Sequence, residues 1–392
     1  MSVAYVVLAG AALLLVYAFA GYPALLGVVA RFRGRAVPSA TPPEPPSVTV
    51  AVPVYNEERQ VAGLLESLSA LEYPRDRLRI LVVSDGSTDG TNELVRAHAD
   101  DRVRLLELPH RVGKTAAEAA GARQIDSELV LNTDASVRLD PRALTALVAA
   151  FADPDVGVAS GRDVSVGEAE GGNEGERGYV GYEMRIRELE TRVGGIVGAS
   201  GSCYAIRTSL HRLPLDEGLS RDFAAALRAR EHGLRAVAVD DALCLVPRAS
   251  SLRREYRRKV RTMVRGMRTL ADFRALLNPF RHGLFAWMLW SHKVARWLLP
   301  WAGLAALVAL TVIAAAGAAW ARVLLGLAGA VGLATMLAWV LDGRVPRIIG
   351  VPAWVVLGNL AAVHAALKAF GGGQSAIWEP TRRDPTATAE AV

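Results

Sequence analysis

The segments VPVYNEE (52–58), VVSDGSTDG (82–90), LNTDAS (131–136) and SRDF (220–223) decide how this chain is read. In each of the first three, an apolar run stops abruptly at a carboxylate. Their intervals suit strands alternating with helices. Such a chain sets several acids along the carboxyl edge of one parallel sheet, the edge at which open α/β sheets bind nucleotides.

Working outward, VTVAVPV, RILVVSD, VRLLEL and ELVLNTD read as strands, short and rich in β-branched residues. EERQVAGLLESLSAL, STDGTNELVRAHA, KTAAEAAGARQI and DPRALTALVAAF have helical spacing or helix-forming composition. Ser87, Thr88 and Asp89 are N-cap types, and Pro141 suits a first helical turn. The alternation predicts an α/β fold with a mostly parallel sheet and right-handed crossovers. Residues 161–178, rich in Gly, Glu and Asp, read as a mobile loop. RDFAAALRAREHG then reads as a helix ending at Gly233, and LRAVAVD as a strand.

The 392 residues suffice for one large soluble domain plus a membrane part. Hydrophobic residues make up 52%, and the excess sits in 3–30 and from about 284 to 371. The net charge of +6 is concentrated beside those segments: Arg31, Arg33 and Arg35 follow the first, and arginines from Arg253 to Arg268 precede the later ones. That distribution fits a cytoplasmic membrane face and anionic membrane lipids. No base-reading pattern appears, so nucleic acid is excluded as a partner. Cys203 and Cys244 form no CxxC, which argues against a disulfide framework and for small core residues in a reducing compartment.

The predicted organisation is a transmembrane anchor over 1–32, a Pro-rich linker over 33–47, a catalytic domain over 48–249, amphipathic interface helices over 250–296, transmembrane helices over 297–371 and a polar tail over 372–392. Positive charge follows the first apolar run, which favours an uncleaved anchor with its N-terminus outside and the following domain in the cytoplasm. Leu252, Tyr256, Val260, Met263 and Met267 recur at helical spacing among arginines, as on a helix lying at the membrane surface. Spans are expected at 297–320, 321–341 and 348–370, with FAWMLW (285–290) as a further short membrane element.

Asp85 at the end of the second strand is either a ligand contact or an Asx-turn capping the next helix. Asp134 either holds Mg²⁺ or Mn²⁺ on a diphosphate or caps a helix. Lys114 follows a glycine at a helix start, where phosphate meets N–H groups and a positive dipole. Asp222, in the first turn of a helix, is a general base or a compensation for the helix dipole. Arg258 and Arg261, about one turn apart, clamp a diphosphate or face lipid headgroups. His232, His282, His292 and His364 lack metal-ligand spacing, and the sequence contains no Ser-His-Asp set, P-loop or zinc pattern.

VPVYNEE, VSDGSTDGT, the GK of HRVGKTAA, GASGSCYAIR and SHKVARWLLP, in this order, resemble the membrane-bound family-2 glycosyltransferases. That group includes polysaccharide synthases of the poly-N-acetylglucosamine, cellulose and hyaluronan type. The resemblance covers about residues 48–300 and the tail GGGQSAIWEPTRR. It implies a GT-A (Rossmann-like) fold and an inverting reaction on a UDP-sugar, UDP-N-acetylglucosamine or UDP-glucose, with Mg²⁺ or Mn²⁺. Carried over by position, Val54, Asn56, Glu57 and Asp85 line the nucleobase and ribose pocket, with Lys114 nearby. Asp134 matches the first acid of the DxD metal motif, Asp222 the acceptor-activating acid of the ED motif, and Arg258 and Arg261 the QxxRW motif. Ser136, Arg221 and Thr262 depart from the second DxD acid, the ED glutamate and the QxxRW tryptophan. The expected acceptor is a growing polysaccharide; the alternatives are a membrane lipid or a degenerate nucleotide-binding scaffold. A transporter is disfavoured, since the spans are few and lack a pattern of intramembrane acids.

Overall fold

The computed structural model describes all residues except 41, 43, 99, 167–173, 248–250 and 372–392. The tail GGGQSAIWEPTRR therefore falls almost wholly outside the described residues. The chain divides into two compact units. One takes in the described parts of Met1–Arg33, Glu168–Leu189 and Ala249–Gly373, and the other those of Gly34–Gly167 and Glu190–Arg248.

The second unit is built on one eight-stranded sheet: β1 Val48–Val54, β2 Leu78–Ser84, β3 Val103–Glu107, β4 Leu129–Thr133, β5 Arg138–Leu139, β6 Val156–Val166, β7 Cys203–Arg207 and β8 Arg235–Pro247. The strand order is β3-β2-β1-β4-β7-β6-β8-β5. Four of the expected strands, β1 to β4, pair in parallel, and the fifth, LRAVAVD, opens β8. β7 then runs antiparallel to both β4 and β6, so the sheet is mixed. Val54 is level with Ser84, and Ala51 with Asn132, so β1, β2 and β4 end along one edge.

Both faces of the sheet are covered, which is why β1 is buried along its whole length. Val50, Val52, Ile80, Val82 and Leu131 pack with Leu64, Leu68, Leu144 and Leu147 on one side. Ala51, Leu81, Val83 and Val130 pack with Ala117, Ala225 and Ala226 on the other. The helix Lys114–Ala122 approaches β2 so closely that a Cβ at Gly121 would stand 2.7 Å from Cγ2 of Val83. This approach brings the first turns of that helix to the carboxyl edge. Cys203 and Cys244 are buried core thiols; a hydrogen bond with Cys203, and then burial, push the Cys244 thiol well above its ordinary range.

Two expectations differ from the structure here. The loop expected over 161–178 is shorter, because β6 continues to Val166 and a helix, Glu174–Val193, starts soon after; residues 167–173 lie outside the description. In addition, Glu168–Leu189 groups with the first unit rather than with the catalytic domain expected over 48–249.

Among its described residues, the first unit holds four helices long and apolar enough to cross a membrane: Ser2–Arg33, Leu284–Ala315, Ala319–Val340 and Arg347–Phe370. The boundary expected at 297 falls inside a continuous helix, and FAWMLW is its opening. A π-helical stretch, Tyr17–Gly21, precedes Pro23, which lacks an N–H and would clash with the carbonyl one turn back. The amphipathic helix Leu252–Asp272 sets Val260, Val264 and Met267 against Ala361 and Ala365 of the last helix. The apolar stripe read from the sequence is thus covered by protein along this stretch. A polar cluster also lies in this unit: the Glu183 carboxylate accepts from Nε2 of His292 at 2.6 Å and from Arg296 at 2.8 Å.

Candidate active site

Three turns leave the carboxyl edge, after β1, β2 and β4, and side chains bind them together. Val54 is buried at the end of β1, and its carbonyl accepts from the Asp85 N–H at 2.9 Å. Asn56 adopts φ 52°, a left-handed conformation that asparagine tolerates. Its Oδ1 accepts from the Thr88 N–H at 2.8 Å, and the Glu57 N–H donates to Thr91 Oγ1 at 2.9 Å. The β1 and β2 turns are therefore held as one surface.

Asp85 is 2% exposed. Its two oxygens accept from the N–H groups of Val112, at 2.7 Å, and Gly113, at 2.9 Å. The next helix, Thr91–Ala97, has Gly90 as its N-cap, and it is Asp89, not Asp85, that turns back to it, its Oδ1 accepting from the Thr91 N–H at 3.1 Å. The Asx-turn alternative for Asp85 is thereby replaced: its carboxylate holds the loop that delivers Lys114. Gly86, at φ 66°, permits this, since a Cβ there would sit 2.6 Å from the Arg111 nitrogen. The Arg111 guanidinium lies 3.9 Å over the Tyr55 ring, which closes the same corner.

Lys114 begins its helix just after Gly113 and reaches Asp134, one residue past β4, with Nζ 2.5 Å from Oδ1. Burial alone would lower the affinity of the Lys114 amine for its proton. The charges of Asp134, Glu118 and Asp222 more than offset that and hold its pKa above the ordinary lysine range. The Asp134 side chain keeps 31% of its surface exposed, while Ser136 is buried at 8%.

Asp222 lies in the first turn of the helix Arg221–Glu231, where an anion complements the dipole. Its Oδ1 accepts from the Ser220 hydroxyl at 2.5 Å. Its Oδ2 faces Gly201, where an added Cβ would stand 3.1 Å away. The GASGS loop is in turn fixed to β6 and β4. Ser200 donates to Asp163 at 2.8 Å, and Thr133 donates to the Ser202 carbonyl at 2.9 Å.

Sequence reasoning missed Glu118. This acid lies one turn after Lys114 and forms an ion pair of 2.8 Å with Nε of Arg221, both side chains nearly buried. A single acid in an Ala-rich helix carries no signal until its partner is known. Tyr204, 3% exposed on β7, lies among these charges. Burial first, then Glu118, Asp222 and Asp134 against the opposing Arg221, push its phenol well above the ordinary range, so it stays protonated.

The structure therefore brings Lys114, Asp134 and Asp222 within electrostatic reach of one another, and joins Val54, Asn56, Glu57 and Asp85 in the neighbouring turns. Arg258 and Arg261 belong to the other unit. There Arg258 makes a two-pronged pair with Glu255, at 2.7 Å on each prong, and Thr262 is exposed.

Residues 49–212 match the family described as Glycosyl transferase family 2. An N-acetylglucosaminyltransferase from Sinorhizobium fredii is 29% identical over 210 residues, 51% of this chain and 50% of the relative. One from Bradyrhizobium elkanii is 37% identical over 124 residues, 31% of this chain and 68% of the relative. The chain thus spans half the length of the first of these relatives. Among solved structures, the mannosyltransferase PcManGT from Pyrobaculum calidifontis, in complex with GDP-Man and Mn²⁺, superposes with a TM-score of 0.72 at 25% identity, covering 93% of this chain and 98% of that one.

Proposed function

From the premise that this chain belongs to glycosyltransferase family 2 and has the GT-A fold, we propose that it is an inverting membrane enzyme moving a sugar from a UDP-sugar to a growing polysaccharide. The observation that carries this reading is the convergence of the Lys114–Asp134 ion pair and the Asp222 carboxylate at one sheet edge. The relatives named N-acetylglucosaminyltransferase favour UDP-N-acetylglucosamine as donor. The GDP-Man in PcManGT makes GDP-mannose the donor to test against it.

The residues suit a divalent cation of the Mg²⁺ or Mn²⁺ kind. Among the described residues no group of three His, Cys, Asp or Glu could hold a metal ion. Asp134, part-exposed at the edge, offers one carboxylate, and these ions bind through one or two carboxylates plus substrate phosphates and water. When bound, the ion would neutralise charge on the diphosphate.

The protein's own residues supply the rest. The N–H groups at the start of the helix Lys114–Ala122 and the Lys114 ammonium meet the diphosphate. The Asp222 carboxylate accepts the proton of the acceptor hydroxyl. That oxygen attacks the anomeric carbon from the face opposite the diphosphate, the glycosyl–phosphate bond breaks, and UDP leaves with the bonding electrons. Ser220, hydrogen-bonded to Oδ1, leaves Oδ2 as the oxygen that takes the proton.

A second reading, transfer of one sugar to a membrane lipid, is favoured by the sequence at position 262, where the resemblance expects an aromatic residue to support an acceptor chain and this chain has Thr262, which offers no such face. The catalytic unit is assigned to the cytoplasmic side because Arg31, Arg33 and Arg35 follow the first apolar helix.

Nucleotide release by purified protein, with UDP-N-acetylglucosamine, UDP-glucose and GDP-mannose in turn and Mn²⁺ present, tests the function. Mass spectrometry of the product then separates polymer from glycolipid. Release from a UDP-sugar that stops on chelation is expected; binding without release from any donor would reduce the protein to a scaffold.

A further inference from the structure

A cation immediately before a catalytic base is a hazard. Arg221 is the residue next to Asp222, and its side chain is only 12% exposed. Left to itself, a guanidinium there would turn to the nearest carboxylate, which is the base itself. The structure gives it another partner: Oε2 of Glu118, 2.8 Å from Nε, on a side chain 7% exposed. Glu118 follows Lys114 by one turn, so one helix delivers a cation to Asp134 and an anion to Arg221. That helix is also fastened to the loop before Arg221, since the Thr115 hydroxyl donates to the Glu217 carbonyl at 3.5 Å.

We propose that Glu118 is a positioning residue for the transfer reaction, sequestering Arg221 so that the Asp222 carboxylate faces the acceptor hydroxyl without a cation bound to it. The acid that the resemblance expects at position 221 is thus supplied from a different helix, across an ion pair. This rests on the reading of Asp222 as the base.

The test is a charge cycle read by pH profile. Glu118→Gln frees Arg221 to act on the neighbouring carboxylate. Its kcat is expected to fall by about tenfold or more, with donor KM little changed, and the acid limb of the kcat profile to move to lower pH by about one unit. Arg221→Gln leaves Glu118 as a bare acid beside the base, and moves the same limb to higher pH. Glu118→Gln combined with Arg221→Gln has neither charge and returns both kcat and the limb close to wild type. Thermal melts of each variant establish folding. If Glu118→Gln does not fold, the direction of the limb in Arg221→Gln decides alone.

Single variants that lose stability but keep the wild-type profile would overturn the proposal, because an Arg221 freed from Glu118 that still does not act on Asp222 needs no sequestering. Asp222→Asn is run alongside. If that variant turns over normally, the base assignment falls. If it is dead while Glu118→Gln and Arg221→Gln keep the wild-type profile, only the role of Glu118 falls.

Discussion

The ammonium of Lys114 stands 2.5 Å from Oδ1 of Asp134, so the carboxylate read as the metal ligand is paired to a protein cation. On the proposed reading, a divalent ion held by Asp134 would share or displace that ammonium. The lysine would then be available to the phosphate oxygens, a compact point charge suited to them. The pair keeps a partly buried acid neutralised.

Lys114→Met should separate the two functions. With the ammonium gone, Mn²⁺ binding to the nucleotide-free protein should be as tight as in wild type or tighter. The KM for the donor should rise by about tenfold or more, the cost of a lost charge-assisted hydrogen bond to phosphate. Isothermal titration with Mn²⁺ and steady-state kinetics check both halves.

Asp85→Asn should lower stability as well as donor affinity. The amide offers one acceptor oxygen where the carboxylate offers two, so one of the N–H groups of Val112 and Gly113 loses its partner in a site 2% exposed. The expected cost is roughly 1–3 kcal/mol. A fall in melting temperature together with a raised KM would be the signature, since Lys114 follows directly on the loop that Asp85 holds. An unchanged melting temperature would show that the two bonds contribute nothing.

His211 should make the catalytic unit acid-sensitive. Its Nε2 donates to Oδ1 of Asn132 at 3.1 Å, and the buried Nδ1 has no hydrogen-bond partner among the described residues. Burial, then the charges of Arg221, Arg228 and Arg212, lower its pKa from 6.5 to about 3. The unfolded chain therefore takes up a proton below pH about 6.5 that the folded protein refuses, and stability falls by about 1.4 kcal/mol per pH unit from there toward pH about 3. Above pH about 6.5 this contribution is constant. His211→Leu should be less stable at pH 8, having lost the bond to Asn132, yet its melting temperature should decline less between pH 6.5 and 4.5. A parallel decline in both proteins would contradict the assignment.

The parts of this site that could be read from the sequence are those where an apolar run meets a polar residue. β1, β2 and β4 end where their hydrophobic pattern ends, which puts Asp85 and Asp134 at one edge by register alone. Asp222 was legible as an acid in the first turn of a helix. What escaped was what depends on partners distant in sequence. Glu118 and Arg221 each look like ordinary charged helix residues until the fold apposes them. The helix Glu174–Val193 escaped because it opens among glycines and charges, which read as a loop, although Tyr182, Ile186, Leu189 and Val193 recur at helical spacing further along. The antiparallel β7 escaped because its backbone partners, not its composition, set its direction.

The central claim is that Asp222 accepts the proton at a site organised by Lys114 and Asp134, and Asp222→Asn tests it most directly. The asparagine is close in shape and can still accept from Ser220, but it takes no proton at neutral pH. Measured side by side, UDP affinity should stay within about threefold of wild type while sugar transfer falls by about 10²–10⁴-fold. Transfer at a rate near wild type, with UDP affinity unchanged, would contradict the account.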